Sequence, residues 1–187
     1  GANAGSVYVF YGAPSGGSVS DADWILDGAA AGDQAGTALA VGDTDGDGLG
    51  DLLIGAPNAD GDATNGGGGW LYSGGGSGNE TLSSAALAVI TGHKLSGYIG
   101  TTAAMVDLDA DGASEIVLGS PTVKFSSVAY GGAFAFYGAV SGTISSGDAD
   151  LSLQGENDGD MAGNSIANAW DTDGDGFDDL ILGAPGQ

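Results

Sequence analysis

The 187-residue chain holds 25 acidic residues against two lysines, Lys94 and Lys124, and no arginine, for a formal net charge of -23. Binding to nucleic acid or to anionic membranes needs basic residues, so this charge repels both, nucleic acid is excluded as a partner and no membrane insertion is expected. No apolar run approaches the roughly 18 residues of a membrane span, and without cysteine there are neither disulfides nor thiolate metal sites.

In chain order, an aromatic strand is predicted first, from Val7 to Tyr11, and then an apolar strand from Trp24 to Leu26, closed by Gly28. Next comes a small apolar strand, Thr37 to Val41, followed by the loop Asp43-Thr44-Asp45-Gly46-Asp47-Gly48. The continuous apolar run Leu52-Leu53-Ile54 follows and ends at Gly55-Ala56-Pro57. A short run without alternation, bounded by turn residues, suits a strand buried on both faces.

The same order then returns. Aromatic and apolar strands are predicted at Trp70 to Tyr72 and at Leu87 to Ile90, the latter followed by Gly92. Thr102 to Val106 precedes Asp107-Leu108-Asp109-Ala110-Asp111-Gly112, and Ile116 to Leu118 leads to Gly119-Ser120-Pro121. Phe134 to Tyr137 and Leu151 to Leu153, with Gly155, come next. Ser165 to Trp170, the loop Asp171-Thr172-Asp173-Gly174-Asp175-Gly176, Leu180 to Leu182 and Gly183-Ala184-Pro185 complete the series.

Asp loops and Gly-x-Pro turns recur every 64 residues, and no stretch keeps a helical period beyond about ten residues. Four-strand sheets repeated radially and buried against neighbours on both faces follow the logic of a β-propeller. The fold class is therefore all-β, with two full blades (36–92 and 100–155) and two half blades (1–28 and 163–187) in one repeat domain spanning 1–187.

Each Asp loop reads D-x-D-x-D-G-x-x-[DE], closing with Asp51, Glu115 and Asp179. Carboxylates at positions 1, 3 and 5 of a tight loop can converge on one point, and Gly at position 6 supplies the turn. The carbonyl at position 7 (Leu49, Ala113, Phe177) can add an oxygen, and position 9 closes the shell. Four carboxylates so gathered repel by about 4 kcal/mol per pair near 4 Å, at an effective dielectric of about 20. A bound cation relieves that repulsion, and an all-oxygen, flexible cage favours Ca²⁺ over Mg²⁺. An EF-hand would require Glu at position 12, where Ile54, Leu118 and Leu182 stand instead. The middle loop differs from the others. Ala110 replaces Gly at position 4, where a positive backbone angle is disfavoured for Ala, and Glu115 replaces Asp at position 9.

The run Ala40 to Pro57 resembles the FG-GAP repeat, the calcium-binding blade unit of integrin α-subunit β-propellers. Ala35-Gly36, Ile99-Gly100 and Ala162-Gly163 keep the Gly of that motif without its Phe. The resemblance implies three structural calcium ions, each holding the hairpin between a blade's first and second strands. It assigns them to Asp43, Asp45, Asp47, Leu49 and Asp51; to Asp107, Asp109, Asp111, Ala113 and Glu115; and to Asp171, Asp173, Asp175, Phe177 and Asp179.

No catalytic role is expected. His93, the single histidine, is read as a solvent-exposed loop residue, and no G-x-S-x-G elbow or phosphate loop is present. Asn79-Glu80-Thr81 is a glycosylation sequon in a predicted surface loop. The expected function is a calcium-stabilised extracellular or cell-surface module for adhesion, surface display or self-assembly. The alternatives are a carbohydrate- or peptide-binding propeller using loops such as 58–67 and 122–131, and a non-catalytic appendage of a secreted hydrolase. Partners are expected to be the chain itself, completing blades between termini or between copies, or the remaining blades of a longer propeller. A protein or glycan ligand is the other partner class. Gly1 in place of Met suits a processed or excised chain.

Overall fold

The computed structural model describes residues 2–12, 16–82, 84–125 and 128–187. The described strands are β1 (Ser6–Val9), β2 (Trp24–Asp27), β3 (Ala38–Gly42), β4 (Asp51–Ala56), β5 (Gly68–Tyr72), β6 (Gly78–Thr81), β7 (Ala88–Thr91) and β8 (Thr102–Val106). They continue with β9 (Glu115–Ser120), β10 (Lys124–Phe125), β11 (Val128–Ala129), β12 (Gly132–Phe136), β13 (Gly142–Ser145), β14 (Leu151–Gln154), β15 (Ser165–Asn168) and β16 (Leu180–Gly183). Among the described residues, helix is confined to two single 3-10 turns, Val19–Asp21 and Ser146–Asp148.

Two sheets are full blades. Strands β3, β4, β5 and β7 pair antiparallel in that order, as do β8, β9, β12 and β14. The N-terminal hairpin β1–β2 supplies only the third and fourth strands of a blade, and the C-terminal hairpin β15–β16 only the first and second. None of the described sheets closes on itself.

Two further strands tie the blades together. β6 lies between the third and fourth strands of its own blade, yet it pairs in parallel with β2 of the preceding half blade. β13 does the same to β7. The sequon at Asn79 therefore lies on a strand rather than in a loop, with Asn79 and Thr81 exposed.

The core is a series of interfaces between stacked sheets. Val7, Trp24 and Leu26 of the N-terminal half blade pack on Leu52, Ile54, Trp70 and Tyr72 of the first full blade. The opposite face of that blade, through Leu53, Leu71 and Ile90, meets Ile116, Leu118, Phe134 and Phe136 of the second. Val106, Val117 and Ala135 then receive Ile166, Leu180 and Leu182 of the C-terminal half blade. Covered on both faces, β4 and β9 are buried along their whole length, whereas β16 has a neighbour on one face only and none of its residues is fully buried.

A single-residue bridge repeats at each interface: Gly5 to Ala35, Gly67 to Ile99 and Gly131 to Ala162, all parallel. A Cβ on these glycines would fall 2.1, 2.2 and 2.5 Å from the facing carbonyl oxygen, and each has a positive φ. Only glycine permits that approach.

Candidate metal centres

Each Asp loop joins the first and second strands of a blade. In the first loop, carboxylate oxygens of Asp43, Asp45 and Asp51 lie within 4.8 Å of one another; Asp107, Asp109 and Glu115 do the same in the second, and Asp171, Asp173 and Asp179 in the third. Three carboxylates per loop meet at that distance, and the Asp at position 5 is not among them.

Backbone donors set this arrangement. Asp43 Oδ1 accepts from the N–H of Gly46 (2.7 Å) and Asp47 (3.2 Å), and Oδ2 accepts from Gly48 (2.8 Å), so the first carboxylate wraps the loop around itself. Asp171 receives the same three bonds. Asp47, Asp111 and Asp175 instead accept from the N–H at position 7, belonging to Leu49, Ala113 and Phe177 at 2.7, 2.8 and 3.0 Å.

Position 9 divides the loops into two kinds. Asp51 is fully buried; its Oδ2 accepts from the Thr44 N–H at 3.0 Å and from the Thr44 hydroxyl, and its Oδ1 from the Gly74 N–H at 3.1 Å. Thr172 bonds Asp179 through the same two groups, and these bonds, the hydroxyl's first, draw the Asp179 carboxyl below its ordinary value. Leu108 stands at position 2 of the middle loop and has only an N–H to give, at 2.6 Å to Glu115 Oε2. Glu115 Oε1 is left buried without a hydrogen-bond partner. Burial pushes the Glu115 carboxyl above its ordinary range; the Leu108 bond opposes the rise, and Asp109, Asp107 and Asp111 add to it.

Position 2, which the motif allows to be any residue, thus sets how the position-9 carboxylate is held. Its signal was present in the repeat, in which Thr accompanies Asp at position 9 and Leu accompanies Glu. The positive φ at Ala110 (59°) matches the glycines at that position, Gly46 (73°) and Gly174 (83°), so the Ala carries the expected strain.

The loops are also stitched in series. The Ser114 N–H donates to the Asp43 carbonyl at 2.6 Å, and the Asp178 N–H to the Asp107 carbonyl at 3.1 Å. Position 8 of each later loop thereby holds position 1 of the one before it.

These trios fit a hard divalent cation. All donors are oxygens, and a buried carboxylate oxygen without a donor beside two further carboxylates is stable only with a proton or a cation.

His93 is half-buried rather than solvent-exposed. Its Nδ1 lies 2.7 Å from Ser146 Oγ, which also accepts from the His93 N–H, and its ring meets Phe134 edge-on at 6.0 Å.

The FG-GAP repeat family matches residues 35–72 and 162–187, which hold the first and third Asp loops. Among curated proteins, integrin alpha-5 of Xenopus laevis is 32% identical over 161 residues, covering 81% of this chain and 15% of that protein. Phosphatidylinositol-glycan-specific phospholipase D of Bos taurus is 28% identical over 156 residues, covering 80% of this chain and 18% of the enzyme. The same enzyme of Rattus norvegicus is 30% identical over 105 residues, 56% of this chain and 12% of the enzyme. The chain thus spans less than a fifth of the length of these relatives.

Proposed function

We propose, on the premise that this chain belongs to the FG-GAP repeat family, that it is a calcium-stabilised extracellular β-propeller module for adhesion, surface display or assembly. The observation that carries the calcium reading is the convergence of Asp107, Asp109 and Glu115 in one loop, with one oxygen of the Glu115 carboxylate, Oε1, buried without a donor. A cation in each loop satisfies the converging carboxylates and locks the hairpin between first and second strands. The ligands are the trios Asp43, Asp45 and Asp51; Asp107, Asp109 and Glu115; and Asp171, Asp173 and Asp179. The position-5 carboxylates and position-7 carbonyls complete the shells once a metal draws them in.

Calcium is favoured over magnesium because several flexible carboxylates at varied reach suit its larger, less demanding shell. The extracellular placement rests on similarity to an integrin alpha subunit and on the high calcium levels at which such modules load. Among the described residues no helix is long and apolar enough to cross a membrane.

A non-catalytic role is supported by the packing of His93 against Phe134 and of Ser146, which is buried. A second reading, the non-catalytic appendage of a secreted hydrolase, is favoured by the likeness to a phospholipase D. The coding sequence on either side of this segment separates the two.

Calcium titration by calorimetry tests the proposal. Three binding events are expected on the metal-free chain, and a chain that takes up no calcium sinks it.

A further inference from the structure

The 64-residue repeat supplies an internal control for the interfaces between blades. Between the two full blades, Phe134 is covered by Phe125, whose ring stacks on it at 5.9 Å and 23°, by His93 edge-on and by the buried Val123. One repeat earlier, at the interface with the N-terminal half blade, Trp70 stands in place of Phe134. Its covering residues have all been truncated: Gly61 replaces Phe125, Ala29 replaces His93 and Ala59 replaces Val123. The volume so freed is a cleft of about 430 Å³ lined by these small residues and by Trp70. That size lies within the roughly 300–1,000 Å³ of small-molecule sites.

The lining is mixed in character. Trp70 is 8% exposed, and its Nε1–H is buried without an acceptor in the protein. Asp33 and Asp60 also line the cleft and are fixed by backbone donors: Asp33 Oδ2 accepts from the Ala30 N–H at 3.0 Å, and Asp60 Oδ1 from the Asn65 N–H at 2.8 Å. The second oxygen of each has no partner among the described residues. Asn58 and Asn65 add amides that both donate and accept. Neither lysine of the chain lines the cleft, so an anion would meet carboxylates without a counter-charge.

We propose that this cleft binds a neutral saccharide ring. The C–H face of a pyranose suits the apolar surface of Trp70 and Ala59. Its hydroxyls donate to the free carboxylate oxygens of Asp33 and Asp60, and its oxygens accept from the asparagine amides. Among the described residues, the corresponding place between the two full blades is filled by Phe125, His93 and Val123.

The test uses the full chain in calcium and four probes: the methyl glycosides of glucose, galactose, mannose and N-acetylglucosamine. Saturation-transfer NMR and tryptophan fluorescence report binding. At least one glycoside is expected to bind, with Asp60→Asn weakening it by about tenfold, the loss of a hydrogen bond to a charged group. The double variant Ala29→His, Ala59→Val imports two of the three filling residues of the next interface and should abolish binding. Unchanged circular dichroism and melting certify each fold, and Asp60→Asn serves alone if the double variant fails to fold. The proposal is overturned if no glycoside binds the folded chain, or if Asp60→Asn leaves affinity unchanged. It is equally overturned if ethylammonium, a simple cation, binds where the glycosides do not.

Discussion

Thr44 donates both its backbone N–H and its hydroxyl to one carboxylate oxygen of Asp51, a residue buried at the base of the first Asp loop. The pair closes the loop from within and fixes the position-9 oxygen before any metal arrives. Thr172 repeats this on Asp179, and Leu108 cannot repeat it on Glu115. Thr44→Val should therefore cost about 1–2 kcal/mol in the chelated protein, since a buried carboxylate loses one of its donors. Calorimetry should show the first calcium site weakened and the other two unchanged. Equal loss at all three sites would contradict a local role for Thr44.

Calcium bound only by the folded chain stabilises it by linkage, about 2.7 kcal/mol per site at a hundredfold excess over Kd. For a chain of this length each kcal/mol moves the melting temperature by roughly 2–4 °C. Exhaustive chelation should thus lower the melting temperature by well over 5 °C, and an unchanged melt sinks the calcium reading. Asp45→Ala and Asp173→Ala should each remove one site only, because the stitching between neighbouring loops is a single backbone bond.

The middle loop should behave differently from its neighbours. Its Ala110 adopts φ 59°, which costs about 1 kcal/mol relative to glycine, and its Glu115 is buried with an oxygen unsatisfied. Ala110→Gly should tighten calcium binding there. The sign for Glu115 follows from its raised carboxyl. Without metal the folded state resists the charge, so the chelated chain gains stability as pH falls from neutral toward the ordinary carboxyl range. Glu115→Gln should accordingly raise the melting temperature of the chelated protein at neutral pH while abolishing calcium binding at that site. A variant that melts lower without metal and still binds three ions would refute both halves of this account.

How far the sequence foretells the molecule depends on whether a feature is local. The Asp loops and apolar runs are set by residues adjacent in the chain, and the 64-residue repeat amplified each of them threefold. β6 and β13 escaped notice because Gly78–Thr81 and Gly142–Ser145 are short, largely polar and without alternation, and their partners belong to the preceding blade. His93 was misjudged for a similar reason: what covers it, Ser146, lies 53 residues away. The position-5 aspartates look identical to their neighbours in sequence. What distinguishes them is their place in the loop, and the N–H they accept from at position 7 is a backbone group that carries no sequence signal.

His93 gives the fold a measurable pH response. Burial lowers its pKa from the ordinary 6.5, and Lys94 adds to this, while Asp62 and Asp148 partly oppose it. The folded chain therefore keeps His93 neutral at pH values where the unfolded chain takes up a proton. Stability from this residue is complete above 6.5 and is lost as pH falls below it. Other carboxylates titrate too, so the comparison is between variants. His93→Gln should flatten the fall in stability between about pH 7 and 5 relative to the parent. Identical slopes for the two proteins would remove His93 from the explanation.

Each half blade leaves an open edge. β1 and β16 are each paired on one side only, and Tyr8 of β1, Phe10 just beyond it and Ile181 of β16 are 39%, 36% and 58% exposed. The equivalents within the first full blade, Trp70, Tyr72 and Leu53, are at 8%, 1% and 0%. That blade also supplies the register: Leu52 pairs with Tyr72, Leu53 with Leu71 and Ile54 with Trp70. By the same repeat, Leu180 would face Phe10, Ile181 would face Val9 and Leu182 would face Tyr8, uniting the two halves as one four-stranded blade. Half blades with open edges invite such pairing. Three blades fall below the usual four to eight of a closed propeller, so two chains exchanging halves would close six, and endless exchange would build a filament. In a longer propeller, neighbouring blades of the same polypeptide would occupy these edges instead. For the 187-residue chain, light scattering in calcium should reveal dimers or larger species. Ile181→Asp should dissociate them, and the pair Val9→Cys with Ile181→Cys should crosslink between chains under mild oxidation. A stable, folded monomer of 17.9 kDa would show that these edges do not recruit a second copy.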